Sequence, residues 1–321
     1  MVKDDVLVLL EKNRGKFVSG QTIADILNVS RNAVWKAVKA LESNGYAIES
    51  VTNKGYRLSS DTDPISKQSI LKYLQNTEFY SIDVRKSVTS TNDIIKQLAA
   101  AGEAQGKVVI AESQTGGKGR RGRAFFSPQR SGVYMSILLR PMLAAADSLK
   151  ITTAAAVAVA AAVDDVFGVH SKIKWVNDVY LNDKKICGIL TEASLSVENG
   201  GLDYAVLGIG INVTEPEGGF PDEIKDIAGA ICSSADSDRK SQLCAQVLDR
   251  FFRHYVNINS QDFLSEYRSR SLLDGKTVTV IKANENYPAT VVGIDDNFRL
   301  IVDTKEGRQY LSTGEVSIKP R

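Results

Sequence analysis

The sequence predicts an α+β protein built from three successive parts. Two closely spaced helical patterns lie near the amino terminus, helical and strand patterns are mixed through the centre, and short alternating segments fill the carboxy-terminal end. The polar segment Ser59–Ser66 contains Pro64 and is typical of a linker. We therefore place the three domains at residues 1–60, 67–270 and 271–321.

Composition limits the classes of protein that fit. A chain of 321 residues with 43% hydrophobic and 24% charged residues is typical of a folded, water-soluble protein. The three cysteines have no CxxC spacing, which argues against a disulfide framework and against a zinc site, so we expect no metal ligands from the protein. The amino terminus lacks the apolar core of a signal peptide, and the apolar stretch Ile151–Val163 is too short to cross a bilayer. We expect a cytoplasmic protein without a membrane partner.

The first part predicts a helix-turn-helix. Helical patterns extend over Ser19–Leu27 and from Ser30 to about Glu42, with Ser30 as a plausible N-cap and a link of only a few residues between them. The second helix places three apolar residues on one face, at Val34, Val38 and Leu41. Two helices this close in sequence match the DNA-binding motif.

A hairpin follows these helices. Strand patterns at Tyr46–Val51 and Tyr56–Leu58 flank the basic turn Thr52–Gly55, which completes a winged helix. Residues 1–60 contain nine Lys or Arg against six Asp or Glu. The expected DNA contacts come from the exposed helix face and the hairpin: Arg31, Asn32, Trp35, Lys36, Lys39, Lys54 and Arg57. A small domain used only for protein contacts is the alternative, but its exposed face would be more apolar.

The central part predicts a mixed or antiparallel sheet with helices. Strand patterns occur at Ile82–Val88, Lys107–Glu112, Gly132–Arg140, Ile173–Trp175, Lys185–Ala193 and Tyr204–Ile211. Helical patterns occur at Asn92–Ala101, Asp147–Phe167 and Lys240–Val256. A hairpin at Tyr180–Ile189 turns at Asn182-Asp183, and we expect the alanine-rich middle helix to pack closely against the sheet.

A basic glycine-rich loop follows the apolar stretch Val108–Ala111. Gly116–Arg123 contains four cationic side chains and four glycines in eight residues, which is typical of a loop that closes over anionic oxygens such as phosphate. It is not a Walker loop, because Lys118 is followed by Gly119 rather than Ser or Thr. Gly208-Ile209-Gly210 is not a dinucleotide fingerprint either, since the third glycine is missing. Taken alone, the basic loop would also fit a solvated surface loop.

The last part predicts a small β-barrel of SH3-like type. From Gly275 onward, short alternating stretches are separated by polar turns. The expected strands lie around Val278–Val280, Ala289–Ile294, Leu300–Val302, Gln309–Leu311 and Gly314–Lys319.

Five motifs in the centre of the chain carry a resemblance to a known family. They are Ser90-Thr91-Asn92, Gln114 with the basic loop, Lys174–Asp178, Lys185–Leu190 and Gly210-Ile211-Asn212. In this order and spacing the chain resembles the biotin-protein ligases. With the winged helix in front, it is similar to the bifunctional members that also repress a biotin operon. The resemblance covers essentially the whole chain.

The resemblance implies a class II synthetase-like central domain and a two-step reaction. Biotin and ATP, with Mg²⁺, would give biotinyl-5'-AMP and pyrophosphate, and a lysine on the biotin-carrier domain of a carboxylase would then take the biotinyl group. It also implies operator DNA as a partner and a homodimer when the adenylate is bound. The carboxy-terminal module would contribute to binding of ATP and of the acceptor protein.

The resemblance also implies residue roles. The catalytic residues would be Lys174 and Arg120. Biotin would be bound by Ser90, Thr91, Asn92, Gln114, Gly117, Lys118, Arg120 and Lys174. The nucleotide would be bound by Arg120, Arg121, Arg123, Asn177, Lys185, Asn212 and Lys319.

Several alternatives stay open at this stage. Lys118 and Lys319 stand where the family commonly has arginine, and Val176 stands where it has proline, so a transcription factor that only senses biotin through a degenerate ligase fold is one alternative. A ligase for lipoate or an octanoyl group is another. Asp178 has either a structural role or a water-mediated contact to Mg²⁺, and Glu215–Gly229 is either a second ordering loop, carrying Phe220, or a plain surface loop.

Overall fold

The computed structural model describes residues 2–43, 46–59, 65–144, 147–195, 201–234, 238–281, 285–312 and 315–318. The chain forms two compact units. One comprises Met1–Thr77 together with Ser234–Gln246, and the other comprises Glu78–Ser233 with Val247–Arg321. Each unit has its own buried apolar residues.

The first unit contains the predicted helix-turn-helix and hairpin. Its elements are α1 (Val2–Lys12), α2 (Gly20–Leu27), α3 (Arg31–Ser43), β1 (Ile48–Val51), β2 (Gly55–Leu58) and α4 (Lys67–Leu71). The sequence interpretation missed α1 and α4. The signal in α1 was present, since its apolar residues recur at helical spacing and are buried, namely Val6, Leu7, Leu9 and Leu10.

Side-chain caps fix the tight turn between α2 and α3. The Ser19 hydroxyl caps α2 by accepting from the Thr22 amide at 3.0 Å, and the Ser30 hydroxyl accepts from the Ala33 amide at 3.2 Å, as predicted for an N-cap. Asn28 ends α2 in the left-handed region, at φ 52°. The two serine caps therefore pair the Thr22 and Ala33 amides at the starts of the two helices.

A buried ionic cluster lies inside the first unit. Arg14 pairs with Glu11 at 2.7 Å and with Asp238 at 3.1 Å, and Asp238 also accepts from Lys72 at 2.8 Å and from the Tyr73 hydroxyl at 2.9 Å. Burial raises the pKa of Glu11 above its ordinary value despite the hydrogen bonds from Arg14. Through these contacts Asp238 is held within the amino-terminal unit. The buried charges of Glu11, Arg14 and Asp238 are tolerated because they are paired with one another.

The second unit is built on a seven-stranded mixed sheet, as predicted. Its strands are β3 (Ser81–Arg85), β4 (Lys107–Ala111), β5 (Gly132–Leu139), β6 (Lys172–Lys174), β7 (Asp178–Leu181), β8 (Lys184–Leu195) and β9 (Leu202–Asn212). The spatial order is β3-β4-β5-β9-β8-β7-β6, and all neighbours are antiparallel except β3 and β4. The β7–β8 turn has positive φ at both Asn182 and Asp183, which is the geometry that the hairpin prediction requires.

Helices α5 (Thr91–Ala100) and α6 (Ser148–Phe167) pack against this sheet. The chain then forms α7 (Arg239–Val256), whose residues up to Gln246 belong to the first unit, and α8 (Leu264–Ser269). Every residue of Ile151–Val163 is buried, and α6 packs against β6, β7 and β8, so the prediction of close alanine packing is confirmed. None of the described helices combines the length and apolar character needed to cross a bilayer.

The carboxy-terminal strands form a five-stranded antiparallel sheet. They are β10 (Thr277–Ile281), β11 (Asn286–Ile294), β12 (Leu300–Thr304), β13 (Gly307–Leu311) and β14 (Glu315–Ile318). Their order is β13-β12-β11-β10-β14. The strand prediction is confirmed, whereas closure into an SH3-like barrel stays a prediction.

Candidate active site

One cavity of about 250 Å³ gathers most of the residues selected from the sequence. Its lining includes Ser90, Thr91, Asn92, Gln114, Lys118, Arg120, Arg121, Arg123, Lys174, Asn177, Lys185 and Asn212. Gly117 is not part of the lining, but its carbonyl accepts from the Phe125 amide at 2.9 Å. Lys319 lies outside the described residues.

The polar end of the cavity lies at the start of α5. The Gln114 side-chain oxygen accepts from the Thr91 amide at 2.8 Å and from the Thr91 hydroxyl at 3.1 Å, while its amide nitrogen donates to Ser127 at 3.0 Å. The Ser90 hydroxyl caps α5 through the Asp93 amide at 3.4 Å. The capping role and the position on the cavity wall therefore belong to the same serine.

A second layer of polar residues supports this end. The Asn92 amide donates to Glu192 at 2.8 Å, and its oxygen accepts from the Ser136 hydroxyl at 2.6 Å. Burial alone would raise the pKa of Glu192, but the hydrogen bonds from Lys96 and Asn92 outweigh it and lower that pKa. Sequence reasoning missed Ser136 and Glu192, because their strands give no sign of which distant side chains they meet.

Lys174 and Asn177 bracket the turn between β6 and β7. The Lys174 ammonium lies 5.7 Å from the centroid of the Tyr180 ring. The Asn177 oxygen accepts from Arg120 at 3.0 Å, and its nitrogen donates to the Ile189 carbonyl at 2.8 Å. The turn therefore joins the basic loop to the strand that carries Lys174.

The basic loop is closed on itself. The Gly119 amide donates to the Arg123 carbonyl at 2.7 Å around a single 3₁₀ turn, Arg120–Gly122, and Arg121 sits in the left-handed region at φ 55°. Lys118 pairs with Asp93 at 2.6 Å, and this hydrogen bond raises the pKa of Lys118. The Asp93 partner was not anticipated from the sequence.

An apolar wall completes the cavity, and sequence reasoning missed it. A Cβ on Gly210 would lie 2.4 Å from the Phe125 ring, and one on Gly188 would lie 3.1 Å from it. Gly188 and Gly210 face each other across β8 and β9. The two glycines thus leave room for the Phe125 ring. Glycines in two strand patterns are the sequence signal that could have suggested an aromatic ring close to the sheet.

The segment Glu215–Gly229 contributes to the same cavity through Phe220, among other residues. It is held in place by Lys185, whose amide donates to the Ile227 carbonyl at 2.7 Å, and by Asn212, whose side chain donates to the Gly229 carbonyl at 3.1 Å. The segment is therefore a cavity wall as well as a surface loop.

Asp178 is an acidic residue of the cavity lining. Among the residues that the structure describes, no group of three His, Cys, Asp or Glu is placed to hold a metal ion. The Asp178 carboxylate, the nearest candidate, pairs with the Lys185 ammonium at 2.7 Å.

The residues selected for DNA binding lie in the first unit. All five selected residues of α3 are exposed: Arg31, Asn32, Trp35, Lys36 and Lys39. In the hairpin, Arg57 pairs with Glu49 and lies over the Phe17 ring at 4.6 Å, while Lys54 is exposed. The unit therefore presents one helix face of cationic, amide and aromatic groups.

Comparisons with known proteins place this architecture in a family. Residues 84–212 match the Biotin/lipoate A/B protein ligase family, residues 3–57 match an HTH domain, and residues 275–319 match a Biotin protein ligase C terminal domain. The chain is 32% identical to the bifunctional ligase/repressor BirA of Bacillus subtilis, over 99% of this chain and 98% of that protein. It is 28% identical to the BirA of Escherichia coli, over 95% of this chain and 94% of that protein.

A solved structure agrees with these matches. The biotin protein ligase of Aquifex aeolicus, in complex with biotin and ATP, superposes with a TM-score of 0.62 and 28% identity, covering 75% of this chain and 99% of that one. The sequence matches extend over both units and the terminal sheet. The chain belongs to the BirA family of bifunctional ligase/repressor proteins.

Proposed function

We propose that this protein makes biotinyl-5'-AMP from biotin and ATP and transfers the biotinyl group to a lysine of a biotin-carrier domain. In the first step a biotin carboxylate oxygen bonds to the α-phosphorus of ATP, and the bond from that phosphorus to pyrophosphate breaks. In the second step the acceptor amine attacks the biotinyl carbonyl, and AMP leaves. Family membership over nearly the full chain supports this reaction.

Electrostatics explains why the site contains so many cations. Two anions must meet in the first step, and charge builds on the departing pyrophosphate, so fixed positive groups stabilise the transition state. Lys174 holds the carboxylate and the α-phosphate, and Arg120 holds the phosphate from the opposite side. The contact from Arg120 to Asn177 at 3.0 Å supports this arrangement, because it directs the loop cation toward the strand that carries Lys174.

The polar end of the cavity binds the ureido ring of biotin. That ring offers two N–H donors and one carbonyl acceptor, which suit the small groups of Ser90, Thr91 and Gln114. Asn92 shapes this end from behind, and Gly117 and Lys118 bring the basic loop over it. The position of Ser90, Thr91 and Gln114 together in the cavity lining supports the assignment.

The remaining cations bind the nucleotide. Arg121 and Arg123 lie over its phosphates, Lys185 supports them from β8, and Asn177, Asn212 and Lys319 contact the nucleotide around its edge. Mg²⁺ enters with ATP as a substrate ion, bound mainly by phosphate oxygens, because Mg²⁺ keeps few protein ligands in such sites. Closing of the basic loop and of the Glu215–Gly229 segment excludes water from the reactive anhydride.

The carboxy-terminal sheet serves the acceptor and the nucleotide. We assign it an SH3-like barrel, supported by its five antiparallel strands and by the match to the biotin ligase carboxy-terminal domain. We also propose that the three domains extend over residues 1–60, 67–270 and 271–321.

The first unit represses transcription. The α3 face reads operator DNA through Arg31, Asn32 and Lys36, with Trp35 and Lys39 beside them, and the hairpin residues Lys54 and Arg57 approach phosphates. Such readers act as two-fold dimers, so the adenylate-bound chain forms a homodimer on a palindromic operator. We assign the protein to the cytoplasm, where it would meet both ATP and operator DNA.

The observation that carries the proposal is the single cavity that collects the ureido-type polar groups, Lys174 and the basic loop. Biotin-dependent exchange of labelled pyrophosphate into ATP tests it in purified protein. We expect exchange with biotin, much weaker exchange with lipoate or octanoate, and a loss of at least about a hundredfold in Lys174→Ala. No exchange with any acid would support the alternative of a transcription factor that only senses biotin. Preference for lipoate would support a ligase for lipoate or an octanoyl group.

A further inference from the structure

We propose that Tyr267 and Phe298 are positioning residues for adenylate formation, because they hold the turn between Lys174 and Asn177 from outside the cavity. The inference rests on the proposed ligase activity. Neither side chain lines the cavity, so any effect on the reaction is indirect. Both are fully buried.

The strand that carries Lys174 needs outside support. β6 has only three residues, lies at the edge of the seven-stranded sheet and pairs with β7 alone within it. The other side of β6 is covered by the chain after α8: the Ile173 amide donates to the Arg270 carbonyl at 2.7 Å, and the Leu272 amide donates to the Ile173 carbonyl at 2.8 Å. So short an edge strand fixes a side chain poorly without such contacts.

Two side-chain hydrogen bonds fix the turn that follows β6. The Trp175 indole donates to the Phe298 carbonyl at 2.8 Å, and the Tyr267 hydroxyl donates to the Val176 carbonyl at 3.0 Å. Trp175 and Val176 are both buried. Because an unpaired polar group is costly in such a buried place, each bond strongly favours this one position of the turn.

An aromatic cluster holds the Tyr267 hydroxyl and the Phe298 carbonyl in place. The Phe298 ring stacks on Phe263 with centroids 5.3 Å apart and planes 14° apart, and it meets the Tyr267 ring edge-on at 5.8 Å. Burial raises the pKa of the Tyr267 hydroxyl, so it stays protonated and remains a donor at physiological pH.

The backbone at Phe298 is strained, which indicates that its position is imposed. Phe298 has φ 57°, a left-handed conformation that is unfavourable for a bulky residue. The surrounding turn is fixed by Asp295, whose carboxylate accepts from the amides of Asn297 and Arg299 at 2.9 and 2.8 Å. The strained turn presents the Phe298 carbonyl to Trp175.

The cavity side of the same turn carries the reacting groups. Lys174 precedes Trp175, and Asn177 follows Val176 and accepts from Arg120 at 3.0 Å. A displacement of Lys174 by a fraction of an ångström would weaken its hold on the transition state more than substrate binding. Tyr267 and Phe298 therefore act on kcat through Lys174.

Tyr267→Phe tests this, with Tyr80→Phe as a matched control. The Tyr80 hydroxyl is also buried and donates to a backbone carbonyl, that of Leu248 at 2.9 Å, but Leu248 lies in α7 and not in the turn that follows Lys174. We expect both variants to lose similar thermal stability. Only Tyr267→Phe should lower kcat for biotin-dependent pyrophosphate exchange, by about tenfold, with KM for biotin and ATP changed less than about twofold.

The outcomes separate the two proposals. An unchanged kcat in Tyr267→Phe, or an equal loss in both variants, would overturn the positioning role while leaving the ligase activity intact. An inactive wild-type protein would refute the ligase activity and this inference together. If Tyr267→Phe does not fold, Phe263→Leu removes one ring of the stack and keeps both hydrogen bonds. It should lower kcat about threefold without changing KM, and an unchanged kcat there would also overturn the role.

Discussion

At the scale of single residues, the polar end of the cavity is supported by two carboxylates outside the cavity lining, Asp93 and Glu192. Asp93 pairs with Lys118, and the ion pair restores some of the fixed geometry that a lysine alone lacks. Glu192 holds Asn92 and Lys96 behind the cavity. We therefore expect the Asp93 and Glu192 carboxylates to affect how well the protein retains its ligand.

Asp93→Asn should release Lys118 from its position. The basic loop would then cover the adenylate less completely, so we expect the bound intermediate to escape a few times faster than from the wild-type protein. Dissociation of labelled biotinyl-5'-AMP, followed by filter binding, measures this. Asp83→Asn is the control, because Asp83 pairs with Arg85 at 2.9 Å in a comparably exposed ion pair. Equal rates in both variants would argue against a role for the Asp93 pair.

Glu192 should make stability depend on acid pH. Its pKa is lowered in the folded protein from an ordinary value of 4.5, so the unfolded chain binds the proton more readily. The stabilisation from Glu192 is present above that ordinary pKa and is lost as pH falls through the lower, folded pKa. Thermal unfolding should show Glu192→Gln less stable than wild type at pH 7, with the gap closing toward pH 3. A gap that is independent of pH would contradict the ionic explanation.

At the scale of elements, facing strands create the apolar wall. Gly188 and Gly210 stand opposite each other on β8 and β9, with the Phe125 ring over both. A Cβ at Gly210 would displace the ring, whereas one at Gly188 would require a shift of only a few tenths of an ångström. The wall is therefore sensitive to substitutions as small as one methyl group.

Gly210→Ala should weaken biotin binding more than Gly188→Ala. The added methyl would lie 2.4 Å from the Phe125 ring in the first case and 3.1 Å in the second, so only the first requires a large movement. Calorimetric titration with biotin should show a loss of roughly tenfold or more for Gly210→Ala and a smaller loss for Gly188→Ala. The reverse order would show that Phe125 does not form the ligand wall.

The sequence predicted most of these elements but not what they touch. The helix-turn-helix, the α6 packing and the hairpin at Asn182-Asp183 follow from local periodicity and turn chemistry. The bond from Trp175 to Phe298 joins residues 123 positions apart, and no local pattern specifies such a contact. The motifs led to Lys174 and the basic loop, whereas Tyr267, Phe125 and Glu192 required the folded chain.

At the scale of the whole molecule, one chain contains a DNA-reading unit and a ligase unit. The proposed link between them is assembly: the adenylate favours the dimer, and the dimer binds a two-fold operator more tightly than the monomer does. Sedimentation with and without biotin plus ATP measures the assembly itself. We expect a dimer only when both substrates are present.

Lys36→Ala should weaken operator binding through lost charge. If Lys36 contacts a phosphate, affinity should fall similarly for specific and unrelated DNA, and the slope of log affinity against log salt should fall by about one. Lys12→Ala, a change to an exposed lysine at the end of α1, is the control. A loss confined to the specific sequence would instead assign Lys36 to base recognition.

The central claim is that the cavity makes and keeps an acyl-adenylate. Purified protein incubated with biotin and ATP labelled at the α-phosphate, then freed of small molecules by gel filtration, tests it most directly. We expect close to one bound biotinyl-5'-AMP per chain, identified by mass, and almost none in Lys174→Ala. Label that is absent from the wild-type protein, or retained equally by the variant, would contradict it.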